Sequence, residues 1–466
     1  MRHPTSTVRA ALWLVCGLIA WQRAGAVDPP LVWIPPASFD AKKPRLGLPE
    51  LPGAKHSILF APKPAQPGET NGYASLRHGL YNHHQQFLLH GNKVIVYWTN
   101  HLQDENGPGQ RLLAKVGTLT NEGADIDWGG DETLLELAPP AMPATRRLAD
   151  NGQDEINSAF LDGELTLSGG KLYLRGRLQA CHGWTDDMRF HNSPLRQPVP
   201  EEHYCGGLDK KNGFRWDLYW FLGSFVQQWD FVGGRLVATS PIYFLADMPV
   251  FLQVTSALRK EVAPLNAPYL NAPLLKHAPS DIQNFIAQAN RNRAPWQGHP
   301  RYAEGMFKRA ANGKDGLAHW TEFRRPGGEW VVVRDNLLDA EVYYASVRAS
   351  TSDTYPAGIR TNLFGTAMPV AGNLPDGSAW IVGGNRDRTD MYLTWSKDGI
   401  TFDRSWSLVH QRMKVTEGVS KTGYGGPQYF KALTLADSLW IVYSIGKENM
   451  GLTRIPFSAL SHPSPR

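Results

Sequence analysis

Short apolar segments separated by tight turns recur along most of this chain, and they limit it to folds built from many short strands. Phe87-Leu88-Leu89, for example, leads through Gly91-Asn92 into Val-Ile-Val-Tyr-Trp at residues 94–98. Runs of four to six β-forming residues broken by Gly, Asn or Asp pairs predict antiparallel hairpins. The same pattern occurs at residues 164–174, 231–238, 379–395 and 439–443. Only residues 280–293, whose apolar side chains are spaced for one helix face, predict a helix convincingly.

A β-propeller accommodates these strands best. Residues 396–402, Ser-Lys-Asp-Gly-Ile-Thr-Phe, match a shortened Asp-box, in which Ser and Asp side chains bond the turn backbone and the aromatic ring packs between sheets. Residues 120–128 share part of this pattern. No helices alternate with the strands, and radial closure would protect the sheet edges. A β-sandwich is the alternative fold, but a chain of this length would need two of them.

The first 26 residues have the order of a secretory signal peptide. Arg2 and Arg9 precede an apolar run at residues 10–21 and the small-residue pattern Ala24-Gly25-Ala26. Twelve apolar residues are too few to span a bilayer, so we predict cleavage after Ala26 and a secreted or periplasmic protein without a membrane span. Three of the 48 basic residues lie in this leader, and the remaining 45 face 43 acidic ones. This near balance argues against a nucleic-acid partner recognised by charge alone.

The next segment, residues 27–75, contains ten of the 34 prolines. Proline fixes φ and removes a hydrogen-bond donor from a strand ladder, so the segment predicts an irregular strap on the surface instead of a separate domain. The propeller, as the catalytic domain, is then expected to occupy residues 76–460.

Three histidines are candidates for proton transfer. His83 and His84 are adjacent on one predicted strand, and the following hairpin brings the chain back to His101. Imidazole titrates near neutral pH and can therefore accept or deliver a proton. Neighbours on a strand point to opposite faces, so one of the adjacent pair could instead be satisfied within the sheet. Asp104 and Glu105 precede a Gly-Pro-Gly sequence, where acidic residues usually stabilise a turn.

A second cluster contains two cysteines and two histidines. These residues are Cys181, His191, His203 and Cys205. Two thiolates and two imidazoles suit a closed, tetrahedral and therefore structural Zn²⁺ site. A disulfide between the two cysteines is natural in an exported protein and fits the spacing equally well.

Several stretches resemble the secreted BNR/sialidase-like propeller families. They are the His83-His84 pair, the Tyr97-Trp98 strand and residues 104–111, 371–377, 396–402, 426–429 and 442–448. The resemblance covers most of residues 78–457, is weak between 240 and 320, and is greatest to the propeller polysaccharide lyases of the ulvan lyase and rhamnose–glucuronate lyase type. It implies a seven-bladed β-propeller that cleaves a 4-linked uronic acid in an acidic polysaccharide by β-elimination. It also implies a structural Zn²⁺, which favours metal over disulfide at the cysteine cluster.

Elimination requires a base for the C5 proton, donors or a cation for the carboxylate, and an acid for the departing O4. By motif position, His84 and His101 are similar to the paired histidines of the lyases. We assign Arg196 to the carboxylate, because a guanidinium binds both carboxylate oxygens, and Tyr204 to the acid.

Further residues are expected to contact the substrate. They are His83, Arg215, Arg360 and Tyr429. Members of the family often carry an Arg just before the position of Ala371, where this chain has residues 366–369, Thr-Ala-Met-Pro. Arg360 is the candidate to replace it.

Two other functions fit the same fold. A sialidase- or rhamnosidase-like glycoside hydrolase would need carboxylates across the sugar, and its candidates, Asp104 and Glu105, lie in the turn sequence. Arg454-Ile455-Pro456 spells the sialidase arginine motif but lies in the last predicted strand, so we attribute the match to chance. A non-catalytic glycan-binding propeller would use exposed aromatic residues such as Trp184 and Trp216. The sequence does not indicate an oligomeric state.

Overall fold

The computed structural model describes a large part of the chain from residue 30 to residue 460. The described residues are 30–64, 67, 72–102, 110–140, 155–185, 208–209, 214–245, 263–291, 317–336, 341–348, 358–366, 368–414 and 424–460. For residues 155–162, 177, 179–185, 208–209, 214–223, 263–266, 290–291, 317–318, 336 and 424 only the backbone is described. Within these ranges no helix has the length and apolar character needed to cross a bilayer.

The described structure is nearly all β. The strands are β1 Val32–Trp33, β2 Lys55–Phe60, β3 Tyr81–His90, β4 Lys93–His101, β5 Arg111–Thr120, β6 Asp125–Asp127, β7 Leu134–Ala138, β8 Glu155–Ser168, β9 Lys171–Thr185, β10 Leu208–Asp209, β11 Phe214–Val232, β12 Arg235–Ala238, β13 Tyr243–Phe244, β14 Leu317–Arg324, β15 Trp330–Asn336, β16 Val342–Arg348, β17 Ile359–Phe364, β18 Val370–Asn373, β19 Ala379–Gly384, β20 Asp390–Ser396, β21 Thr401–Phe402, β22 Arg404–His410, β23 Met413–Lys414, β24 Tyr424–Gly425, β25 Pro427–Leu435, β26 Ser438–Ile445 and β27 Asn449–Pro456. The α-helices are α1 Ala263–Leu270, α2 Ser280–Arg291 and α3 Phe457–Leu460, and short 3₁₀ turns span Pro44–Gly47, Asn121–Gly123, Asp131–Thr133 and Leu275–His277.

Five antiparallel sheets of four or more strands make up the described body. The first contains β3–β7, the second β8–β13, the third β14–β17, the fourth β18–β20 with β22, and the fifth β25–β27 with β2. Strands β8, β3, β25, β18 and β14, one from each sheet, adjoin one another in that order. Sheets arranged in this way around a set of inner strands form a propeller-like fold. The number of seven blades stays a prediction, because residues 246–262 and 292–316 lie outside the described part.

The fifth sheet joins the two ends of the chain. Strand β2, from the Pro-rich segment, pairs with β27, so that His56 lies opposite Thr453. Upstream of β2, β1 pairs in parallel with β21, and the Trp33 indole Nε1 donates to Ser405 Oγ at 2.9 Å. The Pro-rich segment therefore contributes a strand to the propeller as well as packing over its surface.

Several local predictions are confirmed. Gly91 makes the turn between β3 and β4 with φ of 60°, a left-handed value that glycine adopts without strain. The Asp-box also forms: Asp398 Oδ1 accepts bonds from the backbone N–H groups of Ile400 and Thr401, both at 2.8 Å, and Phe402 is fully buried. Helix α2 buries Phe285, whose ring stacks on Tyr173 with centroids 4.2 Å apart. These elements depend on contacts within a short stretch or on one amphipathic face.

Candidate functional site

Two β-bulges on adjoining inner strands form the centre of the site. In β3 the ladder shifts between His83 and Gln86, and in β25 it shifts between Gln428 and Lys431. The extra residue of a bulge re-aims the side chains beside it. The ring centroids of His83 and Tyr429 consequently lie 4.0 Å apart, and those of His84 and Tyr429 lie 5.3 Å apart.

Two more side chains lie against the Tyr429 ring, and a third lies near His83. The His319 ring, from β14, lies 5.6 Å from the Tyr429 ring between centroids. The Arg388 guanidinium carbon lies 5.7 Å from the centre of the same ring, and Arg388 Nη1 donates to Gln428 Oε1 at 2.5 Å. Lys447 is near enough for its charge to act on His83. We call His83, His84, His319, Arg388, Tyr429 and Lys447 the Tyr429 cluster.

Four members of the Tyr429 cluster have a left-handed backbone. The φ angles are 55° at His84, 54° at Arg388, 59° at Tyr429 and 63° at Lys447. This conformation costs a non-glycine residue roughly 1–2 kcal/mol. Such strain persists only where the surroundings hold it, and it concentrates at functional sites. The concentration of four strained residues, Tyr429 and three of its neighbours in the cluster, therefore makes this place the candidate functional site.

The surrounding backbone holds the strained residues in position. The Gln85 side-chain amide donates to the carbonyls of Gln428, at 3.3 Å, and Tyr429. A side chain at Gly426 would collide with the carbonyls of Arg388 and Gln411. Only glycine therefore allows β25 to approach the turn that carries Arg388.

A buried carboxylate orients His319. Its Nδ1 lies 2.9 Å from Asp335 Oδ2, and Asp335, on the neighbouring strand β15, is 2% exposed. The other carboxylate oxygen, Oδ1, is buried and has no hydrogen-bond partner among the described residues. A carboxylate bonded to one ring nitrogen fixes the orientation and tautomer of the ring, so that proton exchange at His319 would use Nε2.

His83 lies at the base of the cluster and is fully buried. Burial holds its pKa well below the usual range, and the charges of His84, Lys447, Arg388 and His319 lower it further. Its Nδ1 lies 2.7 Å from Ser444 Oγ, and that hydroxyl donates to the Gln428 carbonyl at 3.5 Å. Because the hydroxyl proton is used there, we assign the ring proton to Nδ1. Nε2 is buried and has no hydrogen-bond partner within the part of the chain that the structure describes, so it is a lone-pair acceptor in a positive field.

The turn that carries Arg388 is fixed by Asp390, which is 3% exposed. Asp390 Oδ2 accepts bonds from the Asn385 side-chain amide at 2.9 Å and from the Thr389 hydroxyl at 2.8 Å. Its Oδ1 accepts a bond from the Arg45 backbone N–H at 2.8 Å and lies 2.7 Å from His410 Nδ1. The position of Arg388 therefore depends on one buried carboxylate.

Arg111, the last residue of the 104–111 run, is structural. Its side chain is fully buried, and it donates to Asn100 Oδ1 at 2.8 Å and to the carbonyls of Ser75 and His78 at 3.0 and 2.9 Å. Asn100 in turn donates to Asn82 Oδ1 at 2.9 Å. The backbone N–H of Asn82 donates to the Lys447 carbonyl at 2.6 Å. This buried network joins the first sheet to the turn that carries Lys447.

The structure brings together three of the predicted residues, His83, His84 and Tyr429. His101 is 5% exposed and lies opposite Tyr81 in the ladder of β3 and β4. At 3.3–3.4 Å per residue, that position is about 10 Å along the strand from His84. The described backbone therefore does not place His84 and His101 side by side, and their catalytic roles stay predictions.

Of the other predicted residues, some lie away from the Tyr429 cluster and some lie outside the described residues. Arg360 lies on β17, the strand of the third sheet farthest from β14, with Nη2 3.7 Å from Glu341. Arg215 in β11 pairs with Trp184 in β9, and Cys181 in β9 pairs with Tyr219 in β11, but only their backbones are described. Arg196, Tyr204, His191, His203 and Cys205 lie outside the described residues. Zinc binding therefore stays a prediction, and within the described ranges no group of three His, Cys, Asp or Glu side chains could hold a metal.

The sialidase-like arginine motif has a structural role. Arg454 in β27 donates from Nε to Ser438 Oγ at 3.1 Å, and its guanidinium carbon lies 5.7 Å from the centre of the Trp440 ring. This agrees with the interpretation of the motif as a chance match.

Sequence reasoning did not single out His319, Asp335, Arg388 or Lys447 as site residues. Lys447 follows Gly446, and both lie in a stretch that carries the family resemblance, as does Gly426-Pro427. A glycine beside a charged residue indicates a turn, and this signal could have identified Lys447 as a candidate site residue. His319 and Asp335 carry no comparable signal, because only the pairing of β14 with β15 brings them together.

Comparison with known proteins identifies the fold. Neither the family models nor the curated proteins searched gave a match. Among solved structures, the chain is similar to a protein named as a sialidase, with a TM-score of 0.57 and 15% identity over 91% of this chain and 35% of that one. This chain thus spans about a third of the length of that sialidase.

Two further structures align less well. They are a Trypanosoma rangeli sialidase in complex with the inhibitor DANA (TM-score 0.40, 10% identity, 88% of this chain and 60% of that one) and a protein of unknown function from Dyadobacter fermentans (TM-score 0.41, 10% identity, 87% and 99%). These two alignments are too distant to carry an argument. The first alignment shows that this chain has a sialidase-like propeller fold, and it does not support the finer resemblance to propeller lyases.

Proposed function

We propose that this protein is an enzyme that cleaves a carboxylate-bearing glycan at the Tyr429 cluster. The observation that carries the proposal is the convergence of three imidazoles and one guanidinium on a single tyrosine ring, at distances of 4.0 to 5.7 Å. Imidazole and phenol groups exchange protons, and a guanidinium binds both oxygens of a carboxylate. The positive field that lowers the pKa of His83 also favours an anionic substrate.

Hydrolysis is the reaction that the fold favours, by analogy with the sialidase that shares it. In the proposed step, the Tyr429 hydroxyl attacks the anomeric carbon while an imidazole takes its proton. Tyrosine serves as the nucleophile in sialidases and is activated by an adjacent base. The bond to the leaving oxygen breaks, and that oxygen receives a proton from Nε2 of His319, whose ring Asp335 orients. Water then displaces the tyrosine: the water gives a proton to His319, the tyrosine oxygen recovers its proton from the first imidazole, and a saturated sugar is released.

Elimination, which the sequence resemblance implied, is the second candidate. It is favoured by the residue types around Tyr429, since an imidazole base, a phenol acid and a guanidinium for the carboxylate match the three requirements of β-elimination at a uronic acid. The structural comparison gives it no support. Hydrolysis and elimination would use the same cluster and differ in their products.

Product analysis separates the two reactions. The protein is incubated with a panel of uronate- and sialate-containing glycans in water enriched in heavy oxygen. Hydrolysis yields saturated products that carry the heavy oxygen, whereas elimination yields a double bond that absorbs in the ultraviolet and takes up no oxygen. Absence of any product across the panel would contradict the proposal and favour a non-catalytic glycan-binding propeller.

Two variants test the assignment of residues. Asp335→Asn keeps the size of the side chain but removes the carboxylate that orients the His319 ring through Nδ1, so we expect kcat to fall about 10²–10⁴-fold with little change in KM. Arg388→Gln should raise KM for carboxylate-bearing substrates most. An unchanged kcat in Asp335→Asn would remove His319 from the mechanism.

A further inference from the structure

A second pocket lies between the fourth and fifth sheets. It has a volume of about 440 Å³, and its wall includes Arg45, His56, Ile58, His410, Tyr443 and Ile445. This size is within the range of small-molecule sites. No residue of the Tyr429 cluster lines it.

The pocket and the Tyr429 cluster lie on two sides of the same turn. His410 of the pocket wall contacts Asp390, whose other oxygen holds the turn that carries Arg388. The backbone N–H of Gln411, also in the pocket wall, donates to the Thr389 carbonyl at 2.8 Å. On the other wall, Ile445 ends β26 just before the turn that carries Lys447. A chain of sugars bound at Tyr429 could therefore extend past Arg388 and Lys447 into this pocket.

The charges in the pocket wall are paired. Arg45 Nη2 lies 2.8 Å from Glu50 Oε1, with the two side chains 40% and 68% exposed. Partial burial of the His56 ring, followed by the charge of Arg45, lowers the pKa of His56, so its imidazole is neutral at neutral pH. A paired Arg and Glu with a neutral imidazole present both donors and acceptors without a net charge. This pattern matches the hydroxyl groups of an uncharged sugar and gives an anion no advantage.

Part of the remaining wall is apolar. Ile58 is 53% exposed on β2, and the buried residues Tyr443 and Ile445 lie beside it. An exposed aliphatic side chain in a polar-rimmed pocket suits the C–H face of a pyranose ring, which must be desolvated when its hydroxyls bind.

We propose that this inter-sheet pocket is a subsite for an uncharged sugar residue of the glycan that is cleaved at Tyr429. The proposal rests on the proposed function for the identity of the chain, but its test is a binding measurement that needs no turnover. The pocket would give selectivity for glycans in which a neutral sugar accompanies the acidic one.

The test compares two exposed aliphatic residues. Ile58→Trp places an indole in the pocket, while Val232→Trp, at a residue 59% exposed on the β11–β12 hairpin, is a matched control away from it. Binding of cellobiose, maltose and xylobiose is measured by ligand-observed NMR and titration calorimetry on both variants, on the parent protein and on Tyr429→Phe. We expect at least one disaccharide to bind the parent, Val232→Trp and Tyr429→Phe alike, and Ile58→Trp to bind it at least tenfold more weakly.

Three results would overturn the proposal. They are no binding of any probe to the parent protein, equal binding by Ile58→Trp and Val232→Trp, or loss of binding in Tyr429→Phe with retention in Ile58→Trp. If the sugar binds as expected but no glycan is cleaved, the subsite stands and the proposed function fails. The two failures are therefore distinguishable.

Discussion

Lys447→Gly should make the protein more stable and less active. Lys447 has φ of 63°, which costs a non-glycine residue roughly 1–2 kcal/mol that glycine does not incur. Glycine loses about 0.5–1 kcal/mol more conformational entropy on folding. The expected net effect is a gain of about 0.5–1 kcal/mol in the free energy of unfolding. Loss of the cation beside His83 should at the same time weaken binding of an anionic substrate about tenfold or more, as for a hydrogen bond to a charged group.

Ala436→Gly is the matched control for this prediction. Ala436 has φ of 45° in the exposed turn between β25 and β26, away from the Tyr429 cluster. We expect it to gain a similar amount of stability with unchanged kcat and KM. Thermal melting followed by circular dichroism measures the first effect, and steady-state kinetics on a cleaved glycan measure the second. If Ala436→Gly is stabilised but Lys447→Gly is destabilised by more than about 1 kcal/mol, the Lys447 side chain has a structural role that outweighs the strain.

Three further predictions concern burial and metal binding. Burial lowers the pKa of His83 in the folded state below the ordinary value of 6.5, so only the unfolded state gains a proton as pH falls through 6.5. The free energy of unfolding should therefore drop by up to about 1.4 kcal/mol per pH unit below that value. Denaturant unfolding measured from pH 7 to 5 should show a shallower pH dependence in His83→Phe than in the parent protein. Arg111→Met should cost about 3–5 kcal/mol, since it leaves the carbonyls of Ser75 and His78 without their buried donor; a loss under 1 kcal/mol in urea titrations would refute the network. Elemental analysis is expected to find one zinc per chain, and Cys205→Ser is expected to lose the metal and to melt at a lower temperature. A mass showing Cys181 and Cys205 oxidised together would refute the zinc site.

The strands and turns could largely be predicted because their causes are local. The turn at Gly91 does not depend on distant residues, and the hydrogen bonds of the Asp-box around Asp398 join atoms within six consecutive residues. The amphipathic spacing of α2 likewise needs only one apolar surface to pack against. These features are readable in a short window of sequence.

The site could be predicted only in part because it is made by distant contacts. His83 and Tyr429 are 346 positions apart in the sequence, and they meet because β3 adjoins β25. Two bulges then turn His84 and Tyr429 toward each other, and no pattern of alternating residues predicts a bulge at a histidine or a tyrosine. The predicted partner of His84 was a histidine on the next strand, His101, whereas the rings that the structure places against His84 are those of His83 and Tyr429.

The most direct test of the whole account is the turnover of Tyr429→Phe on a glycan that the parent protein cleaves. Both proposed reactions use the Tyr429 hydroxyl, so we predict that kcat falls at least about 10²-fold, as for loss of a proton-transfer group, while KM changes little. The control Tyr173→Phe, at a buried tyrosine of the second sheet stacked on Phe285, should keep the activity of the parent. Equal kcat values for Tyr429→Phe and the parent protein would contradict the assignment of the Tyr429 cluster as the active site.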